Sequence, residues 1–382
     1  MYNFQILTEV DSEKWNKDLM KSEYANFFQT VEYLTPEYDE GRFPLFIYVF
    51  DENGNAVGQL GLMIIKSVVI HASPLFRRFT NIISKLASRV DWVCGPIIHA
   101  SDKESRTEIL LNIIKAVEVI AEKNNVVFIS GKSPPYDLMI DEDYKNELKK
   151  HDYMILDLIT FITNLNKSIQ DLWNNVTENA KRDINRAKKR NIVVKEIEDY
   201  ESLKEYFPLS QKWNEARGKE IVPTFQGIER LWNLQKTGIE KIFLAYQDGE
   251  LISGLRVGCF NGIALAELGI SSYSKPTSLG GPLLTWHTLE WAKNNGMRIY
   301  DFTGGYVESP NNKKDVTYKH QQKGLIFYKK KWGGDDFYFY HFIKVRKKFT
   351  YKLYTMLLDL LLSYTGAKKK QYKQTSYKED HS

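Results

Sequence analysis

Lys329 stands in the run GLIFYKKKWGG, Gly324 to Gly334, where Phe327, Tyr328 and Trp332 lie beside Lys329, Lys330 and Lys331. Ammonium groups among aromatic rings suit an anionic partner. A solvated lysine edge on an ordinary strand is the plainer reading of the same text. Upstream, Met297 to Asp301 reads as a strand that ends at Thr303-Gly304-Gly305. Two glycines there force a turn whose backbone N–H groups can face a ligand. Tyr300 and Asp301 sit at that strand end, and Asp301 has two readings. It can act as a proton acceptor, or it can tie down Thr303-Gly304 as a structural aspartate.

Other cations stand where they can meet phosphate. Arg182, Arg186, Lys189 and Arg190 gather toward the C-terminal end of one helix, where the helix dipole also favours them, so a solvated face is the alternative. Arg217 lies in a short linker between helices, free to reach a cleft. Gly280 and Gly281 open another helix, with Pro282 at its first turn, and their exposed N–H groups can receive an anion.

These residues need elements to position them. Leu283, Leu284, Trp286, Leu289 and Trp291-Ala292 give the helix after Gly281 a largely apolar face, which puts both tryptophans in the core. Before it, Lys241 to Gln247, Leu251 to Phe260 and Ile263 to Ser271 form a meander across Asp248-Gly249 and Asn261-Gly262. The same order stands earlier in the chain. A hairpin crosses the Asn53-Gly54 turn within Pro44 to Lys66, and a short strand over Asp91 to Ile98 is broken by Gly95-Pro96. A helix over Glu104 to Asn124 and a strand from Val126 to Ser130 complete the set. AEKNNVVFIS at Ala121 and AKNNGMRIYDF at Ala292 match locally, so the chain reads as two copies of one α/β module, about 170 residues apart. Between the copies a helix starts at Ser168, capped with the help of Asp171, with a buried stripe of Trp173, Val176, Ala180, Ile184 and Ala187.

Composition bounds the function. The 382 residues, 43% of them hydrophobic, can bury a large core and favour two domains. Cys94 and Cys259 lie in apolar text and read as free buried thiols in a reducing compartment. The amino terminus has no secretory pattern, and the scattered histidines make no metal-ligand spacing, so no structural metal and a cytoplasmic place are expected. The net charge of +5 is uneven: Lys313 to Lys331 is lysine-rich, and ten Lys or Arg stand against three acids from Lys344 to Ser382. That field suits phosphates, nucleic acid or anionic lipid. The run LYTMLLDLLLSYTG within it is too short to span a bilayer but suits an interface, or a terminal helix packed on the fold.

In order, NAKRDINRAKKRNIVV at Asn179, the Arg217 linker, ELGISS at Glu267 to Ser272, YDFTGG at Tyr300 to Gly305 and GLIFYKKKWGG resemble the signature segments of the Fem family, nonribosomal peptidyltransferases that extend peptidoglycan cross-bridges. The resemblance implies two tandem GNAT acyltransferase folds, α/β with mixed sheets flanked by helices. It implies a first module at 1–155 with 337–366 packing back on it and a second at 156–336, and the sequence itself reads as a basic, disordered tail at 367–382. The reaction it implies is attack by an amine of a peptidoglycan or other envelope precursor, lipid-linked or nucleotide-linked, on the ester of an aminoacyl-tRNA. Lys329, next to Tyr328, would then stabilise the oxyanion or hold the tRNA end. Arg217 would grip precursor phosphate, and Ser272, Gly304 and Gly305 would fall in the substrate site. The chain carries Leu265 and Glu267 where other members have tyrosines, and it has no coiled-coil arm.

Two other readings are carried forward. An N-acyltransferase acting on an amino sugar or a lipid-linked polysaccharide precursor would use acetyl-CoA, its pyrophosphate received by Ser278 to Gly281. A non-catalytic relative would bind tRNA or membrane without chemistry. No tightly bound cofactor is expected in either case. Residues 344–370 would touch the anionic inner face of the cell membrane.

Overall fold

The computed structural model describes residues 2–35, 41–66, 77–137, 140, 142–215, 225–272, 279–307 and 322–360. Arg217, Ser278, the lysines at 313, 314 and 319, and the tail from 361 lie outside these residues.

The first part of the chain contains β1 (Asn3–Leu7), α1 (Ser12–Leu19), α2 (Val31–Leu34), β2 (Arg42–Phe50), β3 (Ala56–Ile65), α3 (Arg77–Leu86), β4 (Arg89–Trp92) and β5 (Ile97–Ile98). α4 (Lys103–Lys123), β6 (Phe128–Lys132), α5 (Glu142–Lys150) and β7 (Met154–Asn164) follow. The second part contains α6 (Ile169–Asn175), α7 (Glu178–Lys189), β8 (Val193–Glu196), α8 (Tyr200–Glu215), α9 (Phe225–Lys236), β9 (Glu240–Gln247), β10 (Glu250–Phe260) and β11 (Ile263–Ser271). It closes with α10 (Gly280–Asn294), β12 (Ile299–Tyr306), α11 (Gln322–Lys330) and β13 (Asp335–Val345), and a terminal helix, α12, covers 348–360.

The strands form one sheet whose order shows the duplication. Outward from the central antiparallel pair β13–β7, one side runs β6, β4, β3, β2, β1 and the other β12, β11, β10, β9, β8. Each side contains one parallel pair at the equivalent place, β4 with β6 and β11 with β12. α4 covers one half and α10 the other, each over its own apolar cluster. β13 returns from the end of the chain to pair with β6, His341 opposite Lys132.

The turn chemistry explains the meander. Asp248 and Gly249 both have positive φ, as do Asn261 and Gly262, the conformation of the tightest hairpins. Cys94 and Cys259 are free and buried.

Three expectations change. Ser168 caps a helix as read, its Oγ accepting from Asp171 N at 3.1 Å, but that helix ends at Asn175 and a second begins at Glu178. Val176 leaves the helical region at ψ 137°, so the apolar stripe is shared between two helices. The lysine cluster begins on α11, a helix, and not on a strand edge. Thr303-Gly304-Gly305 is no terminal turn: β12 runs on to Tyr306 through an irregularity between Asp301 and Gly304, with Thr303 at φ 57°.

Candidate active site in the second module

β11 and β12 pair over only three residues, Ile263–Leu265 with Ile299–Asp301, and then part. Beyond that point lies a cleft of about 530 Å³, reached by β11, β12, the start of α10 and one face of α11. β11 is itself irregular there, because Arg256 and Val257 on β10 face Leu268 and Ala266 and leave Glu267 as an extra residue. An extra residue interrupts the ladder and frees backbone groups along its strand. Glu267 lines the cleft and pairs with Arg256 at 2.9 Å, and Arg256 also binds the fully buried Glu240.

Lys329 lines this cleft. Its ammonium donates to Thr303 Oγ1, whose hydroxyl in turn donates to the Ala266 carbonyl at 3.1 Å. Burial lowers its pKa to about 8, and the nearby Asp301 carboxylate opposes that shift. A lysine so placed is still cationic at neutral pH and loses its charge as pH rises through about 8. Desolvation also strengthens its field on anything brought close.

Asp301 is buried and fully occupied, accepting from the hydroxyls of Thr160 and Tyr136 and from Thr303 N at 2.6 Å. Burial raises its pKa, and these donors and Lys329 act against the rise. Of the two readings of Asp301, this geometry is the structural one: it holds Thr303 in its positive-φ conformation and so aims the hydroxyl that receives Lys329. Tyr300 is fully buried, its hydroxyl 2.6 Å from Thr288 Oγ1 on α10, which removes it from the cleft. Gly304 packs against β7: a Cβ there would meet the Ile159 carbonyl at 1.6 Å, so the glycine serves strand approach. Gly305 is paired in the same ladder, opposite Ile159.

The remaining sequence candidates divide. Tyr328 lines the cleft, its hydroxyl 3.1 Å from Thr285 Oγ1 and its pKa raised to about 12 by burial. Gly281 also lines it, and a Cβ there would lie 3.7 Å from both Ser271 Oγ and Tyr328 Oη. Gly280 is turned to the core, where a Cβ would meet Ser253 Oγ at 2.6 Å. Ser272 extends the β10–β11 pairing by donating from its backbone N to Ile252 O at 2.8 Å. Arg182 and Arg186 are exposed on α7 and do not line the cleft, and Arg182 binds Asn179 at 3.0 Å. Arg217 lies outside the described residues.

The role of Trp332 escaped the sequence, whereas the open helix start at Gly280 and Gly281 was read from it. Trp332 lines the cleft with a buried indole N–H that has no hydrogen-bond partner among the described residues. Such an unsatisfied donor costs about 1–3 kcal/mol until an acceptor reaches it. Among the described residues the first turn of α10 has no acidic residue and no side-chain cap, which leaves N–H groups at the positive end of its dipole. Tyr136 and Thr160 were invisible as site residues because they meet Asp301 across 165 and 141 positions.

Residues 174–320 match the family model described as an acetyltransferase (GNAT) domain. A crystal structure of FemX superposes with a TM-score of 0.67 at 15% identity, covering 91% of this chain and 99% of that one. The chain has the Fem-like GNAT fold. L-PGS from Bacillus licheniformis gives a TM-score of 0.54 at 14% identity over 92% of this chain and 97% of its own. A tandem GNAT protein from the clavulanic acid pathway gives 0.51 at 13% over 90% and 98%. No curated protein sequence matches the chain significantly. The GNAT region contains β11, α10 and β12, three of the walls of the cleft, and the protein is an acyltransferase. The tandem α/β architecture and the Fem-like resemblance read from the sequence are borne out.

Proposed function

We propose that the protein moves an aminoacyl group from aminoacyl-tRNA to an amine of a peptidoglycan or other cell-envelope precursor. The observation that carries this reading is the buried Lys329 ammonium at the parting of β11 and β12, held by Thr303 with Asp301 behind it. Attack of a neutral amine on the ester carbonyl forms a tetrahedral intermediate with a negative oxygen, and collapse to the amide expels the ribose oxygen of the tRNA, which takes up the proton that the amine nitrogen gives up. Neither step needs a protein nucleophile. Both need the reactants held together and a cation near the developing charge. Lys329 supplies that cation, and Tyr328, Trp332 and Gly281 frame the space beside it. The fold shared with FemX and with L-PGS, and the sequence resemblance to the Fem peptidyltransferases, support this donor and acceptor class.

The bare start of α10 favours a second reading, acyl transfer from acetyl-CoA, with the pyrophosphate at Gly281. Purified protein is offered labelled aminoacyl-tRNA or labelled acetyl-CoA, each with lipid-linked and nucleotide-linked precursor. Label passing from tRNA to precursor, and lost in Lys329→Ala, is the expected result. Transfer from acetyl-CoA alone would replace the tRNA reading with the second one.

A further inference from the structure

α12 is fastened on one side and bare on the other. Tyr351 and Tyr354 on its inner side pack on Phe128 of β6, with ring centroids at 5.1 and 5.7 Å. They belong to an apolar cluster with Ile343, so the helix has a fixed seat on the first module. On its outer side Phe349, Met356 and Leu360 are 82%, 60% and 63% exposed. Positions 349, 356 and 360 recur at seven and four residues and therefore share one stripe of the helix. A stripe of large apolar side chains left in water on a well-seated helix needs an occupant.

Its surroundings say which. Lys348 and Lys352 are exposed along one flank of the stripe, whereas Lys344 and Arg346 before it are paired with Glu118 at 2.7 and 2.9 Å and Lys347 donates to Asn125 O at 2.7 Å. Past the described residues the sequence continues Leu361-Leu362 and then Lys368-Lys369-Lys370. An apolar stripe bordered by lysine complements a surface that is apolar within and negative at its face, whereas a protein partner of ordinary composition would leave those lysines unanswered. Among the described residues no helix is long and apolar enough to cross a membrane, so the contact is one of lying on and not of spanning.

We infer that α12 seats the protein on an anionic lipid bilayer, with Phe349, Met356 and Leu360 in the interface and Lys348 and Lys352 at the phosphate level. The residues stand on the first module and take no part in the Lys329 cleft, so this inference does not depend on the proposed reaction.

The test is co-sedimentation of the full chain with vesicles of phosphatidylglycerol and phosphatidylcholine in equal parts, against phosphatidylcholine alone. The expected result is binding to the anionic vesicles only, weakened by added salt. Phe349→Glu with Leu360→Glu should lower the partition coefficient at least tenfold, and Lys348→Gln with Lys352→Gln should lower it several-fold, with unchanged far-UV circular dichroism. Equal binding to both vesicle types, or binding that neither pair of substitutions weakens, would overturn the inference. So would absence of binding together with a dimer in gel filtration that the Phe349→Glu, Leu360→Glu variant abolishes, since the stripe would then belong to a second copy of the chain.

Discussion

The two halves of the sheet repeat one order of elements, yet they differ where their parallel strands part: in the first the chain's own side chains bind the backbone there and a cavity of about 690 Å³ lies between β4, β6 and α12, and in the second the Lys329 cleft borders the place. In the first half Trp92 lies across Gly131 of β6, so close that a Cβ there would fall 1.9 Å from the indole. The indole N–H donates to Gly95 O at 3.0 Å. Gln29 donates to Val93 O at 2.8 Å and exchanges hydrogen bonds with Gly61, while Asn26 donates to Cys94 O at 3.0 Å. The backbone groups that a ligand would need at the end of β4 are thus taken by the chain's own side chains. In the second half the equivalent end of β11 borders the cleft that contains Lys329.

The helices that follow differ in the same sense. α4 begins at Asp102, whose carboxylate accepts from Ser105 N at 2.8 Å, with Glu104 in its first turn. Two acids satisfy and neutralise that helix start. α10 begins at Leu279-Gly280-Gly281 with neither. One copy of the duplicated module places aromatic and amide side chains on one face of this gap, and the other places a lysine beside it. What separates scaffold from site here is which groups fill one gap in the sheet.

Four substitutions would break or sharpen that contrast. The largest effect is expected from Lys329→Ala, which should slow single-turnover transfer about 10²–10³-fold with donor binding less affected. Rapid-quench kinetics with saturating enzyme checks this. Trp92→Ala should cost about 3–5 kcal/mol in urea unfolding, because it empties the plug of the first half, while the folded fraction keeps its transfer rate. Lost transfer in a folded Trp92→Ala protein would move the site to the first half. Gly281→Asp copies the acidic helix start of α4 onto α10 and should weaken an anionic donor about tenfold. Its Cβ has room, 3.7 Å from the nearest side-chain atoms, so the melting temperature should hold. The smallest effect is expected from Asp301→Asn. Its carboxylate raises the Lys329 pKa against burial, so its removal should move the alkaline limb of activity to lower pH in a pH–rate titration.

Much of the scaffold was legible because its signals are local. Asp248-Gly249 and Asn261-Gly262 placed the meander to within a residue, β11 spans Ile263–Ser271 as read, and the apolar period of α10 put Trp286 in the core. The site was legible only in part. Lys329 and Tyr328 stood out by type, whereas the role of Asp301 depends on Tyr136 and Thr160, which no spacing connects to it. Gly304 suggested a turn because glycine permits positive φ, but Thr303 takes that conformation and Gly304 makes room for β7. Propensity reports what a residue permits, and tertiary contact decides which use is made of it. Trp92 and Gln29 were equally silent, since filling a gap leaves no periodicity.

The central claim is that the cationic form of Lys329 drives transfer. Single-turnover rates of the wild type and of Lys329→Arg, followed from pH 6.5 to 9.5 with the amine acceptor saturating, test it most directly, because an arginine keeps its charge throughout that range. The account predicts a wild-type rate that falls as pH rises through about 8 and a slower variant whose rate does not fall there. A wild-type rate that climbs through the same region, with the climb lost in the variant, would mean that Lys329 acts as a neutral base and would contradict the account.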